Sequence, residues 1–228
     1  MSKKATYTLY YWPVPFRGHF IRAILSYAQA DWEEGENVPA LMSTKPHNQP
    51  IPFMGPPVLV NHEKHFALSQ MPAIANYLGE QLNLLPESAE DKALALKIVA
   101  DANDVIDELT LQGGMTMWTQ ESWQAFIPRL QKWMTFWEEE LARSSSNYLV
   151  NTQSPTIADI VSSTLWSTVT ERFPAIKDLL EKTAPNTALH AEKLWKNELA
   201  DFAKISWDTY GDSYCGGQIE QSMRKVIK

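Results

Sequence analysis

The segment Tyr7–Arg22, YTLYYWPVPFRGHFIR, compresses a strand, a turn and the start of a helix into one short run. Thr6–Tyr11 is rich in β-branched and aromatic residues, which suit a pleated strand, and it is too short for a helix. Trp12-Pro13-Val14-Pro15 ends the strand, because neither proline can donate to a ladder. From Phe16 onward, Phe16, Phe20, Ile21, Ile24, Leu25 and Ala28 recur on one stripe, which predicts a helix with a buried face.

Working outward, a second strand is expected near Asp31–Val38, and Met42–Gly55, polar and proline-bearing, reads as a long covering loop. Pro57–Val60 and His65–Leu68 flank the turn Asn61–Lys64 as a hairpin, and Met71–Leu82 reads as a helix. The order is βαβ and then ββα. Leu84–Ser88 reads as the junction, so the chain divides into a first domain at 1–84, a linker at 85–88 and a second domain at 89–228. Past the junction long helical patterns take over, at Glu90–Leu111, Glu121–Arg143, Ile157–Arg172 and Ala188–Thr209. Thr156-Ile157-Ala158-Asp159 carries a capping-box pattern: the Thr156 hydroxyl can cap a first-turn amide while Asp159 reaches back. Ile157, Ile160, Val161, Thr164, Leu165 and Val169 then trace a buried face. The predicted class is a small α/β domain followed by an all-α domain.

At 228 residues, 44% hydrophobic and 21% charged, the chain is long enough to bury its own core and is not a disordered sequence. Twenty basic against 27 acidic residues give a net charge of −7, which argues against a general nucleic-acid binder. Only Lys3-Lys4 and Arg224-Lys225 cluster positive charge. No apolar run approaches a membrane span, and the opening lysines have no apolar core behind them; the expectation is a cytoplasmic protein that does not enter membranes. The one cysteine, Cys215, excludes an internal disulfide, a CxxC redox pair and a thiolate zinc site. His62 and His65 fall in the hairpin turn rather than in a metal-ligand pattern, so no metal is expected.

Taken in order, these motifs resemble the cytosolic glutathione transferases over nearly the whole chain. Tyr7–Arg22 is similar to Pi- and Sigma-type openings, in which a strand-end Tyr precedes an Arg-Gly pair. Gly55–Val60, GPPVLV, followed by Ser69–Glu80, SQMPAIANYLGE, carries the second likeness, and Tyr148–Ile160, YLVNTQSPTIADI, the third. The resemblance implies a thioredoxin-like first domain and an all-helical second one. It also implies a homodimer that joins glutathione, as co-substrate and without a bound cofactor, to small hydrophobic electrophiles.

That chemistry needs a thiolate, and a cysteine-like thiol of pKa about 8.5 is only about 3% ionised at pH 7. A hydroxyl that hydrogen-bonds the sulfur favours the charged form, and lowering the pKa by about two units corresponds to roughly 2.7 kcal/mol. The resemblance places Tyr11 as this donor, with Tyr10, on the opposite strand face, as the alternative. It further implies that Pro57 is the family's cis-proline. The preceding residue, whose backbone pairs with the tripeptide, is here Pro56, which keeps its carbonyl but has no amide hydrogen. Gln70-Met71 stands where relatives carry Glu/Gln-Ser at the helix start that captures the γ-glutamyl carboxylate, with Ser69 one residue earlier. Arg17, Lys45 and Asp104 are carried over as further glutathione contacts, and Trp12, Val14, Phe16, Met115 and Trp118 as an electrophile pocket.

The chain also departs from the pattern. Pro15-Phe16 is a two-residue insertion relative to the Pi-type opening. Aligned with the Cys-Pro-Phe opening of thiol-transferase-like members, the nucleophile position is Val14. Val14, Pro56 and Met71 together favour a second reading, a non-catalytic protein of the same fold that binds a ligand or partner.

Overall fold

The computed structural model describes residues 5–228, so the Lys3-Lys4 pair lies outside the described residues. Strand β1 (Tyr7–Tyr10) leads through the proline turn into α1 (Arg17–Tyr27) and returns in β2 (Trp32–Glu34). The hairpin is β3 (Val58–Asn61) with β4 (Phe66–Ser69), followed by α3 (Met71–Gln81). The sheet order is β2-β1-β3-β4, with β2 parallel to β1 and the other two pairings antiparallel. This is the expected βαβ plus ββα arrangement, with α1 as the crossover that a parallel pair requires.

The stretch Met42–Gly55 is less loop-like than its composition implies. It contains the end of α2 (Val38–Ser43), capped by the Asn37 side chain, and a 3-10 turn at Pro46–Asn48. Pro39 and Pro46 sit at the starts of these turns, where a missing amide hydrogen costs nothing.

Beyond the junction lies α4 (Ala89–Leu109), capped by the Ser88 hydroxyl, which accepts from the Asp91 amide at 3.0 Å. A kinked turn, α5 (Leu111–Gly114), separates it from α6 (Gln120–Arg143). Then come α7 (Ile157–Arg172), α8 (Pro174–Thr183), α9 (Pro185–Lys196), α10 (Ala200–Tyr210) and α11 (Gly217–Val226). The expected helix at Ala188–Thr209 is two helices broken at Asn197–Leu199, and α8 and α11 are additions to the sequence reading. Both are ten residues long and flanked by Pro174 or Gly216-Gly217, so each is too short for periodicity to stand out.

Helix α7 organises the second domain, packing against α1, α4, α8 and α9. It is buried on nearly every side rather than along one face. Its buried hydroxyls are mostly satisfied: Ser162 accepts from Trp137 Nε1 at 2.6 Å, and Ser163 donates to the Ala191 carbonyl at 2.7 Å. The capping box forms as read. Asp159 Oδ2 accepts from the Thr156 amide at 2.8 Å, Oδ1 accepts from the Leu149 amide at 2.9 Å, and the carboxylate is fully buried. The two domains are stitched by the Ile157 amide donating to the Leu84 carbonyl at 3.0 Å and by Arg17, which reaches α4. Among the described residues no helix is long and apolar enough to cross a membrane.

Candidate active site

Strand register brings the main candidates together. Tyr10 pairs with Val58 and Val58 with Ser69, so the next row at that end of the sheet is Tyr11, Pro57 and Gln70. Helices α1 and α3 start from the same end, so their first-turn amides and positive dipole ends face it. The Pro56–Pro57 peptide bond is cis.

Tyr11 is only 6% exposed, and its ring lies flat on the first turn of α1. The contact requires a glycine: a Cβ at Gly18 would stand 2.3 Å from Tyr11 Cγ. Helix α1 has no side-chain cap, and the Tyr11 phenol lies close enough to the Arg17 and Gly18 amides for them to pull its pKa down. Burial pushes the phenol up to about 12, against the downward pull of Arg17, Arg22 and those amides. Tyr11 therefore stays protonated at neutral pH. A protonated phenol at this helix start has a hydrogen to donate.

Tyr10 takes a different environment, with its ring against Gly35 just after β2, where a Cβ would stand 2.3 Å from Tyr10 Cδ1. It does not share the helix start with Tyr11.

Arg22, which sequence reasoning passed over, holds this loop in place. It is 3% exposed, donates to the Trp12 and Val14 carbonyls at 3.0 Å each, and pairs with Glu34 at 2.5 Å. Its guanidinium also lies 5.5 Å from the Tyr11 ring centroid. The one available signal was a charged residue inside an otherwise apolar helix.

At the α3 start Gln70 adopts φ 74°, a left-handed conformation that costs a non-glycine residue energy. Met71 is 1% exposed, so its thioether belongs to the core and only its amide is placed for binding. Pro72 removes the next amide. Ser69 is half-buried at the end of β4.

Several sequence-derived candidates are committed elsewhere. The Arg17 guanidinium donates to Asn103 Oδ1 at 3.3 Å and is ion-paired to Asp107, so it joins the two domains. Lys45 is exposed at the head of the 3-10 turn. Asp104 is exposed on α4, while its neighbours Asp101, Asp107 and Glu108 pair with Lys97, Arg17 and Arg129.

The five residues expected to line an electrophile pocket fall in different surroundings. Trp118 is a core residue: its indole donates to the Leu109 carbonyl at 2.8 Å and it packs edge-on against Trp123. Phe16 is buried edge-on against Tyr214. Met115 is 77% exposed and lines a separate open cavity of about 440 Å³ with Leu111, Phe126 and Arg129. Trp12 and Val14 are half-buried, and Val14 faces Gly216. The reason is tertiary: the segment Tyr214–Gly216 is folded against the inserted Pro15-Phe16 turn. Glu220 Oε2 secures that segment by accepting from the amides of Tyr214, Cys215 and Gly216 at 3.0, 2.9 and 2.6 Å.

Burial pushes the Cys215 thiol up to about 12, so it is protonated and unreactive at neutral pH. Arg224, of the C-terminal basic pair, is bound to Glu220 and Asp212. Among the described residues no group of three His, Cys, Asp or Glu side chains is arranged to hold a metal ion.

Residues 94–226 match the family model described as glutathione S-transferase, C-terminal domain. No curated protein matches the chain in sequence. Among solved structures, a Nu-class glutathione transferase from Haemonchus contortus is 25% identical, with 88% of this chain and 96% of that chain covered and a TM-score of 0.70. Na-GST-3 from the hookworm Necator americanus, described as monomeric, is 23% identical with a TM-score of 0.71, covering 87% of this chain and 96% of its own. A glutathione transferase from Ascaris lumbricoides is 22% identical with a TM-score of 0.70, covering 88% and 97%. These last two likenesses speak to the fold alone. The model of the helical domain spans more than half of the residues, and on that ground the chain belongs to the glutathione S-transferase family.

Proposed function

We propose that the protein is a glutathione transferase in which the Tyr11 hydroxyl hydrogen-bonds the glutathione sulfur and holds it as thiolate. The observation that carries this reading is the place of Tyr11: a buried, neutral phenol packed on Gly18 at the start of α1, in the same row as the cis Pro57 and Gln70. In the reaction the thiol proton passes to solvent, the sulfur lone pair forms a bond to an electrophilic carbon, and a leaving group departs or the adduct takes up a proton. Tyr11 keeps its proton throughout, since a phenol of pKa about 12 does not serve as a base at neutral pH.

Binding rests on backbone more than on side chains. The Pro56 carbonyl next to the cis bond offers one main-chain acceptor, and the Met71 amide, with the positive end of α3, offers an anion site. The proposed substrates are glutathione and a small hydrophobic electrophile; the proposed state is a cytoplasmic homodimer.

The filled space around Phe16, Trp118 and Tyr214 favours a second reading, a ligand- or partner-binding protein without turnover. Two assays separate them: retention on immobilised glutathione and conjugation of a chlorodinitrobenzene-type electrophile. Turnover that falls on the order of 10²-fold in Tyr11→Phe with retention intact supports the enzyme and its donor. Retention without turnover supports the second reading, and turnover unchanged in Tyr11→Phe refutes the donor assignment. Light scattering of the eluted protein tests the dimer.

A further inference from the structure

A small cavity of about 10 Å³ lies between the domains, walled by α1, α4, α7 and the segment carrying Tyr214. Its lining includes three buried polar atoms without a protein partner: His19 Nδ1, Thr168 Oγ1 and Tyr214 OH. The residues are 1%, 3% and 2% exposed and come from α1, α7 and the loop before α11. Only two other side-chain atoms among the described residues share that condition, so the orphaned groups concentrate at this point. The volume matches the roughly 10–15 Å³ that one water molecule requires.

Arg172 donates to Ser206 Oγ at 3.4 Å, and Ser206 Oγ lies 3.0 Å from His19 Nε2, so Nδ1 is the ring nitrogen left without a protein partner. Burial, with Arg22 and Arg172 nearby, pushes the imidazole well below its usual value, so the ring is neutral. In the tautomer in which Ser206 O–H donates to Nε2, Nδ1–H is a donor, while the Tyr214 and Thr168 hydroxyls each can donate and accept.

We propose that this cavity binds one structural water, which accepts from His19 Nδ1–H and Tyr214 O–H and donates to Thr168 Oγ1. The water ties α1 of the first domain to α7 of the second and to the C-terminal segment. Its bond to His19 falls within the first turn of α1, on which Tyr11 packs at Gly18, so it is a positioning element for that side chain.

The test uses the full chain and two near-isosteric variants, Thr168→Val and Tyr214→Phe. A crystal structure at high resolution is expected to show one ordered water within hydrogen-bond distance of all three atoms. Each variant is expected to lower the folding equilibrium constant about five- to tenfold in urea titrations. The double variant is expected to lose less than the product, because both remove partners of the same molecule. Thr168→Val is also expected to speed amide exchange at 214–226, although Thr168 belongs to α7, and Thr168→Ser to restore protection. Density showing a direct bond among the three groups with no water between them would overturn the proposal. So would losses that multiply, or exchange at 214–226 that Thr168→Val leaves untouched.

Discussion

Replacing Gly18 by alanine puts the proposed role of Tyr11 to a strict test, because the new methyl group points into the ring. An ideal Cβ there stands 2.3 Å from Tyr11 Cγ and 2.4 Å from Cδ1, whereas ordinary contact begins at 3.4 Å, so the ring must retreat by about 1 Å. It has little room to do so: Tyr11 is buried, and the Arg22 guanidinium lies 5.5 Å from its ring centroid. Overpacking of this kind costs about 1–3 kcal/mol. Up to about 1 kcal/mol returns because alanine is the better helix former. The expected net loss is therefore about 0–3 kcal/mol in urea, and the fold survives. Activity should suffer more, since a misplacement of about 1 Å at a reacting group can cost on the order of 10²-fold. Steady-state conjugation assays should show kcat/KM falling by that order in Gly18→Ala, with glutathione-resin retention changed little. The double variant with Tyr11→Phe should be no worse than Tyr11→Phe alone, because both remove the same hydrogen bond. A folded Gly18→Ala protein with unaltered kcat/KM would refute the claim that the Tyr11 phenol holds the thiolate.

Tyr11 should remain un-ionised in ultraviolet difference titration until well past pH 10. Because its folded pKa of about 12 lies above the unfolded value of about 10, its contribution to stability should fall across that interval; early ionisation would contradict the burial argument. His19 has a lowered folded pKa, so the unfolded chain takes up its proton first. Stability should be full above about pH 6.5 and fall as the pH drops below it, and His19→Gln should flatten the pH dependence of urea midpoints in that range. Asp159→Ala leaves the buried Leu149 and Thr156 amides without an acceptor, and a loss of about 3 kcal/mol in urea titrations is expected. Asp107→Asn weakens a half-exposed ion pair between the domains and should cost under about 1 kcal/mol, measured the same way.

The order of elements was legible in the chain because each depends on near neighbours: aromatic and β-branched runs, prolines that stop them, and a Thr156–Asp159 box that closes within one helical turn. The same locality explains the short-range part of the site. Gln70-Met71 heads α3, whereas the cis bond between Pro56 and Pro57 was implied by the family resemblance alone. Where a helix was too short for its period to repeat, as in α8 and α11, pattern reading had nothing to measure.

The rest was decided by residues far apart in sequence. Whether Tyr10 or Tyr11 faces the helix start depended on Gly35 and Gly18 accepting their rings. Arg17 looked like a ligand contact until α4 brought Asn103 and Asp107 to it. Phe16 and Trp118 have the composition of a substrate pocket and of a core alike. Tyr214 and Ser222, more than a hundred residues beyond Phe16 and Trp118 respectively, settle the matter by packing onto the first and bonding the amide of the second. Local propensity acts through a handful of adjacent bonds and can be read in one dimension. Burial, and with it the protonation state of Tyr11, is a property of everything that surrounds a group, and only the folded chain assembles that surrounding.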